Sequence, residues 1–323
     1  EAVDKLQEVQ SRPPVRAVHS APNLRRELHL GASAPSQLHV LVRNSEQLEA
    51  AISSRPDSIT LDYLDLFGLR PSVARVKATG IQVRVASPRV LKTSEARIVD
   101  FLASLECPIL IRDAGALSTL RRKSTQPLIG DFSLNAANTL TAEAYIELGL
   151  TRLTPTHDLN AAQIATLAAT LGPGRIEAIA YQHLPVFYTE HCVFCRFLST
   201  GTTYRDCGRP CEHHRVALRD SQGRAHSVIA DVGCRNTVFG AEAQEASAHV
   251  EKWRAAGIAH FRLEFVAESA AEVEKVTAAF QAYLSGRSSA GELHAQVSRI
   301  APEGVTEGSL FVPPEFEHFP ILQ

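Results

Sequence analysis

From residue 37 onward the chain alternates between two rhythms. Short, mostly apolar runs fall at 38–42, 58–64, 81–86, 108–111, 128–132, 152–155, 175–181 and 260–266. Each has the length of a strand, and continuous apolar character is what strands buried on both faces show. Between them lie stretches whose apolar residues recur every three to four positions, at 45–52, 71–78, 94–105, 116–122, 142–148, 161–171, 246–256 and 271–284. Ile98, Phe101, Leu102 and Leu105 give one of these helices its single apolar side. Gly80, Gly149 and Gly257 stand where three of the helices should stop. Eight strand-then-helix units predict an α/β fold, a (β/α)8 TIM-like barrel over residues 37–286. The rival, a doubly wound open sheet, lacks its G-x-G-x-x-G turn after the first strand.

The rhythm breaks once. The link from the seventh strand to its helix runs from about 182 to 245, where about two to six residues are usual. It leaves the carboxyl end of a strand, the face on which barrels carry their chemistry. A hairpin is predicted inside it, 215–220 with 225–231, around Ser221-Gln222-Gly223-Arg224. Residues 1–36 precede the barrel as a polar extension, with a short helix near 2–10 and a break at Pro13-Pro14. Residues 287–323 follow as a tail, helical over 291–300 and rich in Pro and Phe at its end.

Composition narrows little. With 33 Lys plus Arg against 35 Asp plus Glu, the net charge of −2 selects no partner. No apolar run reaches the length of a membrane span, and Glu1-Ala2-Val3-Asp4-Lys5 lacks the basic and apolar regions of a secretion signal. Methionine is absent, which sets the expectation of a processed, truncated or engineered chain.

The long link gathers five of the six cysteines, Cys192, Cys195, Cys207, Cys211 and Cys234, spaced C-x2-C-x11-C-x3-C-x22-C. Cys107 stands apart. An odd number of clustered thiols without a secretion signal argues against disulfides and for a reducing cytoplasm. Converging thiolates suit a tetrahedral metal or an iron–sulfur cluster. Only Cys192/Cys195 is a short knuckle, where zinc ribbons use two. The spacing leans slightly toward iron–sulfur and leaves zinc open. Cys207-Gly208-Arg209-Pro210-Cys211-Glu212-His213-His214 falls short of the C-x3-C-x2-C of radical S-adenosylmethionine enzymes, because His214 occupies the third cysteine position.

The same link has seven arginines and no lysine between Arg196 and Arg235. One reading is a solvated loop with ion pairs to Asp206, Glu212, Asp220 and Asp231. The other is an anion site, since guanidinium forks grip carboxylates and phosphates. Phe194, Phe197 and Tyr204 are too few aromatics to separate an RNA platform from an ordinary core.

Tyr188-Thr189-Glu190-His191-Cys192, Cys207-Gly208-x-x-Cys211, the hairpin with Leu218-Arg219-Asp220, and Asp231-Val232-Gly233-Cys234-Arg235-Asn236 together resemble the signature region of the U32 peptidase family, also called collagenase-like proteases. Asp131-Phe132-Ser133-Leu134-Asn135-Ala136-Ala137-Asn138 is similar to that family's fifth-strand segment. The resemblance covers roughly 37–286, is most specific over 183–239, and is nearest the C-terminal half of large U32 proteins. It implies a missing N-terminal U32 domain. It also implies a 4Fe-4S cluster held by Cys192, Cys207, Cys211 and Cys234, with zinc as the alternative metal and Cys195 as an extra thiol outside the pattern. The activity implied is oxygen-independent hydroxylation of RNA pyrimidines or a small aromatic, with prephenate as an anionic partner. The family name implies proteolysis instead.

The strand ends offer a polar pocket of Asp62, Arg112, Asn135, His157, Asp158, His183 and Glu264. Of these, His157, His183, Glu264, Asn135 and Arg112 are the catalytic candidates. Each is also an ordinary strand-end hydrogen bonder, and Asp158 or Asn160 would serve as the next helix cap. His213 and His214 either support the cluster or simply face solvent. No H-E-x-x-H or G-x-S-x-G element is present, so hydrolysis rests on the family label. A non-catalytic binding loop stiffened by metal is the third class.

Overall fold

The computed structural model describes residues 1–12, 34–64 and 66–312. The Pro13-Pro14 break, most of the N-terminal extension and the Pro- and Phe-rich end lie outside the described residues. The chain begins with α1 (Ala2–Ser11), which buries no residue. The alternation then runs β1 (Gln37–Val42), α2 (Ser45–Ser54), β2 (Ser58–Leu61), α3 (Leu66–Lys77), β3 (Gln82–Ala86), α4 (Ala96–Ala103), β4 (Ile109–Ile111), α5 (Ala114–Lys123), β5 (Leu128–Gly130), α6 (Thr139–Glu147), β6 (Leu150–Leu153), α7 (Ala161–Leu171) and β7 (Glu177–Thr189). A lobe follows, made of α8 (Val193–Leu198), β8 (Val216–Arg219), β9 (Ala225–Asp231) and β10 (Arg235–Glu245). Then come α9 (Val250–Ala255), β11 (His260–Glu264), α10 (Ala270–Leu284), α11 (Ala290–Ile300) and β12 (Val305–Thr306).

Helices start where a side chain can take an orphaned backbone N–H. Asn44, Asp113 and Asn138 cap α2, α5 and α6. Asn160, Ser269 and Ser289 form reciprocal boxes with Gln163, Glu272 and Glu292. The predicted stops at Gly80, Gly149 and Gly257 all have positive φ. α3 differs: it starts at Leu66 and carries Pro71 inside, rather than beginning there.

The strands form one sheet in the order β6-β5-β4-β3-β2-β1-β11-β7-β10-β9-β8, with β12 beside β10. From β6 to β7 the pairing is parallel; β10, β9 and β8 continue antiparallel. A parallel bridge also joins Leu153, at the end of β6, to Ile176, just before β7. The sheet is curled, because Arg84 of β3 reaches Glu177 of β7 at 2.8 Å although β2, β1 and β11 lie between them in the order. No helix among the described residues is long and apolar enough to cross a membrane.

The two faces of the strands differ in a way the apolar runs did not predict. Leu38, Val40, Val42, Ile59, Leu61, Val83, Val85, Phe261 and Leu263 pack outward against the helices in the main core. The inner face has only a small apolar patch, Leu41, Ala86, Leu110 and Ile129. The rest of the interior is polar: His39, Ser58, Thr60, Arg84, Glu177, Arg262 and Glu264 are all buried. Glu177 accepts from Arg84 at 2.8 Å, Arg262 at 2.8 Å and Arg152 at 2.9 Å. Burial opposes its charge, but these guanidiniums and His39 hold its carboxyl well below the usual range.

The seventh strand is the second difference. It was expected to end at Tyr181 but continues to Thr189. Its extension pairs antiparallel with β10, a strand that was not foreseen. The predicted hairpin is present as β8 and β9.

Two stability predictions follow from this interior. Glu177→Ala should leave Arg84 and Arg152 without a carboxylate and cost about 3–5 kcal/mol, measured by urea unfolding at pH 7. An unchanged midpoint would refute it. Burial lowers the pKa of His39, and lowers that of His260 to about 4, with Arg152 next in effect. Below about 6.5 the unfolded chain therefore gains protons that the native state refuses. Unfolding free energy should fall as pH drops from about 6.5 towards 4, and His260→Gln should flatten that slope.

Candidate functional site at the strand ends

The parallel strands deliver their carboxyl ends to one side, and there the interior charges close into a ring. Arg262 of β11 pairs with Asp131 after β5. Asp131 accepts from Arg112 Nε after β4 at 2.8 Å. Arg112 Nη1 donates to Asp62 after β2 at 2.7 Å. Asp62 meets Arg43 after β1 at 3.2 Å, Arg43 meets Glu264 at 3.5 Å, and Glu264 returns to Arg262 at 2.8 Å. Three guanidiniums and three carboxylates alternate. Burial opposes the charge of Asp131, but Arg262 and Arg112 hold its carboxyl far below the usual range.

The candidates at these ends have different fates. Arg112 and Glu264 are ring members, 2 % and 4 % exposed. His157 stacks on Phe132, centroids 3.8 Å apart at 15°, and burial pushes its pKa down to about 4. His183 is occupied at both nitrogens: Nδ1 donates to the Gly240 carbonyl at 2.8 Å and Nε2 meets Glu268 at 3.2 Å. Glu268 outweighs burial and raises its pKa. Asn135 is an exposed turn residue at φ 56°. Asp158 accepts from the Thr156 hydroxyl, and Asn160 is the α7 cap. Sequence reasoning missed Arg89, which lies over the rings of Phe132, Tyr188 and Phe239 at 5.5, 5.9 and 5.9 Å. Its only signal was its place just after the third strand. Asp231, at the end of β9, is a buried carboxyl raised by burial and by Asp62.

The lobe stands on β7 and β10 and has its own small core of Phe194, Val228, Ala230 and Val238, against which Cys192 and Cys211 pack. Cys192 Sγ caps α8 by accepting from Cys195 N at 3.4 Å, and Cys195 Sγ donates to the Gly201 carbonyl at 3.4 Å. Burial pushes Cys211 up to about 11, with Cys192 and Cys207 adding to it. Burial also raises Cys234, and Cys192, Cys207 and Cys195 raise it further. The five thiols thus share one neighbourhood, and Cys195 is not set apart from the other four. All are free, as is Cys107 in the core. Among the described residues, no three His, Cys, Asp or Glu side chains are grouped closely enough to hold a metal ion as they stand.

The thiol loops depend on tight backbone. At Gly201 a Cβ would lie 2.4 Å from the Asp206 carbonyl oxygen. Gly233, at φ 83°, has Arg235 Nη1 2.6 Å and Glu95 Oε1 2.7 Å from where a Cβ would be, and Cys234 follows at φ 62°.

The arginine excess is mostly internal. Arg235, 1 % exposed, holds Glu95 through both carboxylate oxygens at 3.0 Å, Glu190 at 3.1 Å, and the carbonyls of Val90 and Val232. Lys92 also pairs with Glu190. Arg224 pairs with Asp220 and Glu242, Arg209 with Glu212, and Arg219 donates to the Gly223 carbonyl. These pairs fit the reading of a loop with local ion pairs. His213 and His214 are exposed and line a cavity of about 380 Å³ with Cys211, Arg43 and Phe194.

A curled α/β sheet carrying a thiol-rich lobe over charged strand ends is the class of protein these features define. Residues 69–319 match the model of peptidase family U32, and the chain belongs to that family. No curated protein matches it. Among solved structures it is similar to the U32 peptidase Mk0906, with 11 % identity, 78 % of this chain and 100 % of that one covered, and a TM-score of 0.45. It is also similar to a putative fructose-1,6-biphosphate aldolase from Coccidioides immitis (11 %, 82 % and 87 %, 0.41) and to the YdjI aldolase from Escherichia coli K12 (12 %, 85 % and 88 %, 0.37).

Arg235 makes a local prediction. Arg235→Ala should free the lobe from the 90–95 loop, so limited proteolysis should cut faster within 199–215 while the far-UV spectrum of the body persists. Unchanged cleavage would show that the lobe is held elsewhere.

Proposed function

We propose that this U32 protein is an iron–sulfur protein that carries out or supports oxygen-independent hydroxylation of an RNA pyrimidine or a small aromatic. The observation carrying this reading is the shared neighbourhood of five free thiols on a lobe anchored over the strand-end charge ring. The donor set fits the cluster by chemistry: soft sulfur ligands, unpaired as a reducing compartment keeps them. Cys192, Cys207, Cys211 and Cys234 would hold it, with Cys195 as the extra thiol and zinc as the alternative occupant. When bound, a 4Fe-4S cluster supplies one-electron redox chemistry beside the strand ends.

The chain's own residues would bind and orient the substrate. The ring fixes Arg112 and Glu264, His157 stays neutral against Phe132, and the lobe shields the strand ends from water. The reading includes a complete (β/α)8 barrel, with the Leu153–Ile176 bridge as its last seam and about 182–245 as its insertion. An anion such as prephenate or an RNA phosphate would supply the negative partner. Of the hydroxyl–imidazole pairs among the described residues, Ser58 with His39 at 2.9 Å is buried at the amino ends of the strands and does not supply a peptidase with a reachable nucleophile.

Anaerobic reconstitution followed by iron and sulfide analysis and visible spectroscopy tests the cluster. Cys192→Ala, Cys207→Ala, Cys211→Ala and Cys234→Ala should each lose most of the iron, and Cys195→Ala should retain it. Loss in Cys195→Ala with retention in Cys192→Ala would reverse the assignment. Incubation of the loaded protein with prephenate and candidate RNA should give a hydroxylated nucleoside by mass spectrometry. Cleavage of denatured collagen by cluster-free protein, with no oxygen added to any base, would establish the peptidase.

A further inference from the structure

The charge ring satisfies its own members and leaves donors over. Arg112 is 2 % exposed; its Nε and Nη1 are paired, but Nη2 is buried with no hydrogen-bond partner. His157 Nε2 and Arg89 Nε are buried and unpartnered in the same way. Among the described residues Arg89 makes no hydrogen bond and no ion pair within 4 Å; it lies over the rings of Phe132, Tyr188 and Phe239 and feels the carboxylates of Asp231 and Asp62 from farther off. These groups belong to one neighbourhood. Phe132 stacks on His157, lies under Arg89 and follows Asp131, which accepts from Arg112.

Folded proteins leave very few buried donors unmatched, and an unpaired buried guanidinium is among the costliest. Such a cost is retained where a ligand supplies the partner. We propose that Arg89 and Arg112 form a fork for a small organic carboxylate, with the rings of Phe132, Tyr188 and Phe239 as its apolar walls. Charge balance selects a monoanion. Arg262, Arg112 and Arg43 are matched by Asp131, Asp62 and Glu264, and the carboxylate that faces Arg89 is Asp231, whose proton burial and Asp62 favour, so the cluster has at most one surplus positive charge. A phosphate dianion would overshoot it beside Asp231. The flat walls suit a ring-bearing acid, whose edges and faces pack on aromatic neighbours.

The inference deepens the proposed function at the same strand-end site, where Arg112 and an anionic partner are already invoked, and is independent of the cluster. Binding is therefore measured on iron-free protein, so the two readings fail separately. The probe is benzoate, titrated calorimetrically into wild type and Arg89→Leu, with inorganic phosphate as a second arm and thermal unfolding alongside. Benzoate should bind wild type at one site and raise its Tm. Arg89→Leu should bind at least about tenfold more weakly while its ligand-free Tm is unchanged or higher, because an unmatched buried charge has gone. The proposal is overturned by absence of benzoate binding to wild type, by equal affinity in the variant, or by phosphate binding in preference to benzoate. A ligand-free Tm clearly lower in Arg89→Leu would also overturn it, by showing that Arg89 serves the fold.

Discussion

Glu177 is the carboxylate on which the interior depends. It opens β7, is fully buried, and receives guanidiniums from β3, β6 and β11. Those strands can reach one residue only if the sheet curls. The curl is thus enforced from inside by ion pairs as well as from outside by the apolar packing of helices. An interior filled with branched apolar residues would tolerate slippage between strands. A carboxylate with three guanidiniums does not, because moving any strand by one residue turns its charge to the opposite face.

The same constraint sets up the strand ends. Arg262 donates to Glu177 below and to Asp131 and Glu264 above. It therefore links the interior network to the six-membered ring at the mouth. Burial opposes the charges of Asp131 and Asp62, and the two guanidiniums that each faces hold their carboxyls below the usual range; Glu264 lies between Arg43 and Arg262. The ring gives Arg112 a fixed orientation while leaving one of its nitrogens unused. A rigid side chain with a spare donor is what recognition of a small anion needs, since little conformational freedom remains to be lost on binding.

Much of the frame was readable from the sequence. Gly80, Gly149 and Gly257 marked three helix ends and Asn160 one helix start, and the apolar runs located all eight parallel strands. The cysteine spacing picked out the lobe. The interior charges were not readable, because their partners are remote: Arg84 and Glu177 lie 93 residues apart, and Arg262 and Asp131 lie 131 apart. In a window of ten residues each looks like a flaw in an apolar run. β10 was hidden for a different reason. Its pairing with β7 shifts register between Val238 and Phe239 and again before Ala243, which breaks the even alternation that marks a strand. The arginine count of the lobe left an ion-paired loop and an anion site both open, and Arg209, Arg219, Arg224 and Arg235 have internal partners. Outside the lobe, Arg89 has a buried Nε with no hydrogen-bond partner.

Arg89 and the thiols nevertheless belong to one mechanical unit. The loop after β3 carries Arg89 at one end and Glu95 at the other, with Lys92 between. Arg235 grips Glu95 and the Val90 carbonyl, and Lys92 shares Glu190 with Arg235. Arg235 follows Cys234 directly, and Glu190 lies two residues before Cys192. The backbone that positions two of the thiols is therefore fastened to the backbone that positions Arg89. Arg235 is enclosed, so its pairs with Glu95 and Glu190 join the two loops from within the fold. One buried arginine therefore ties the backbone around Cys192 and Cys234 to the loop that carries Arg89.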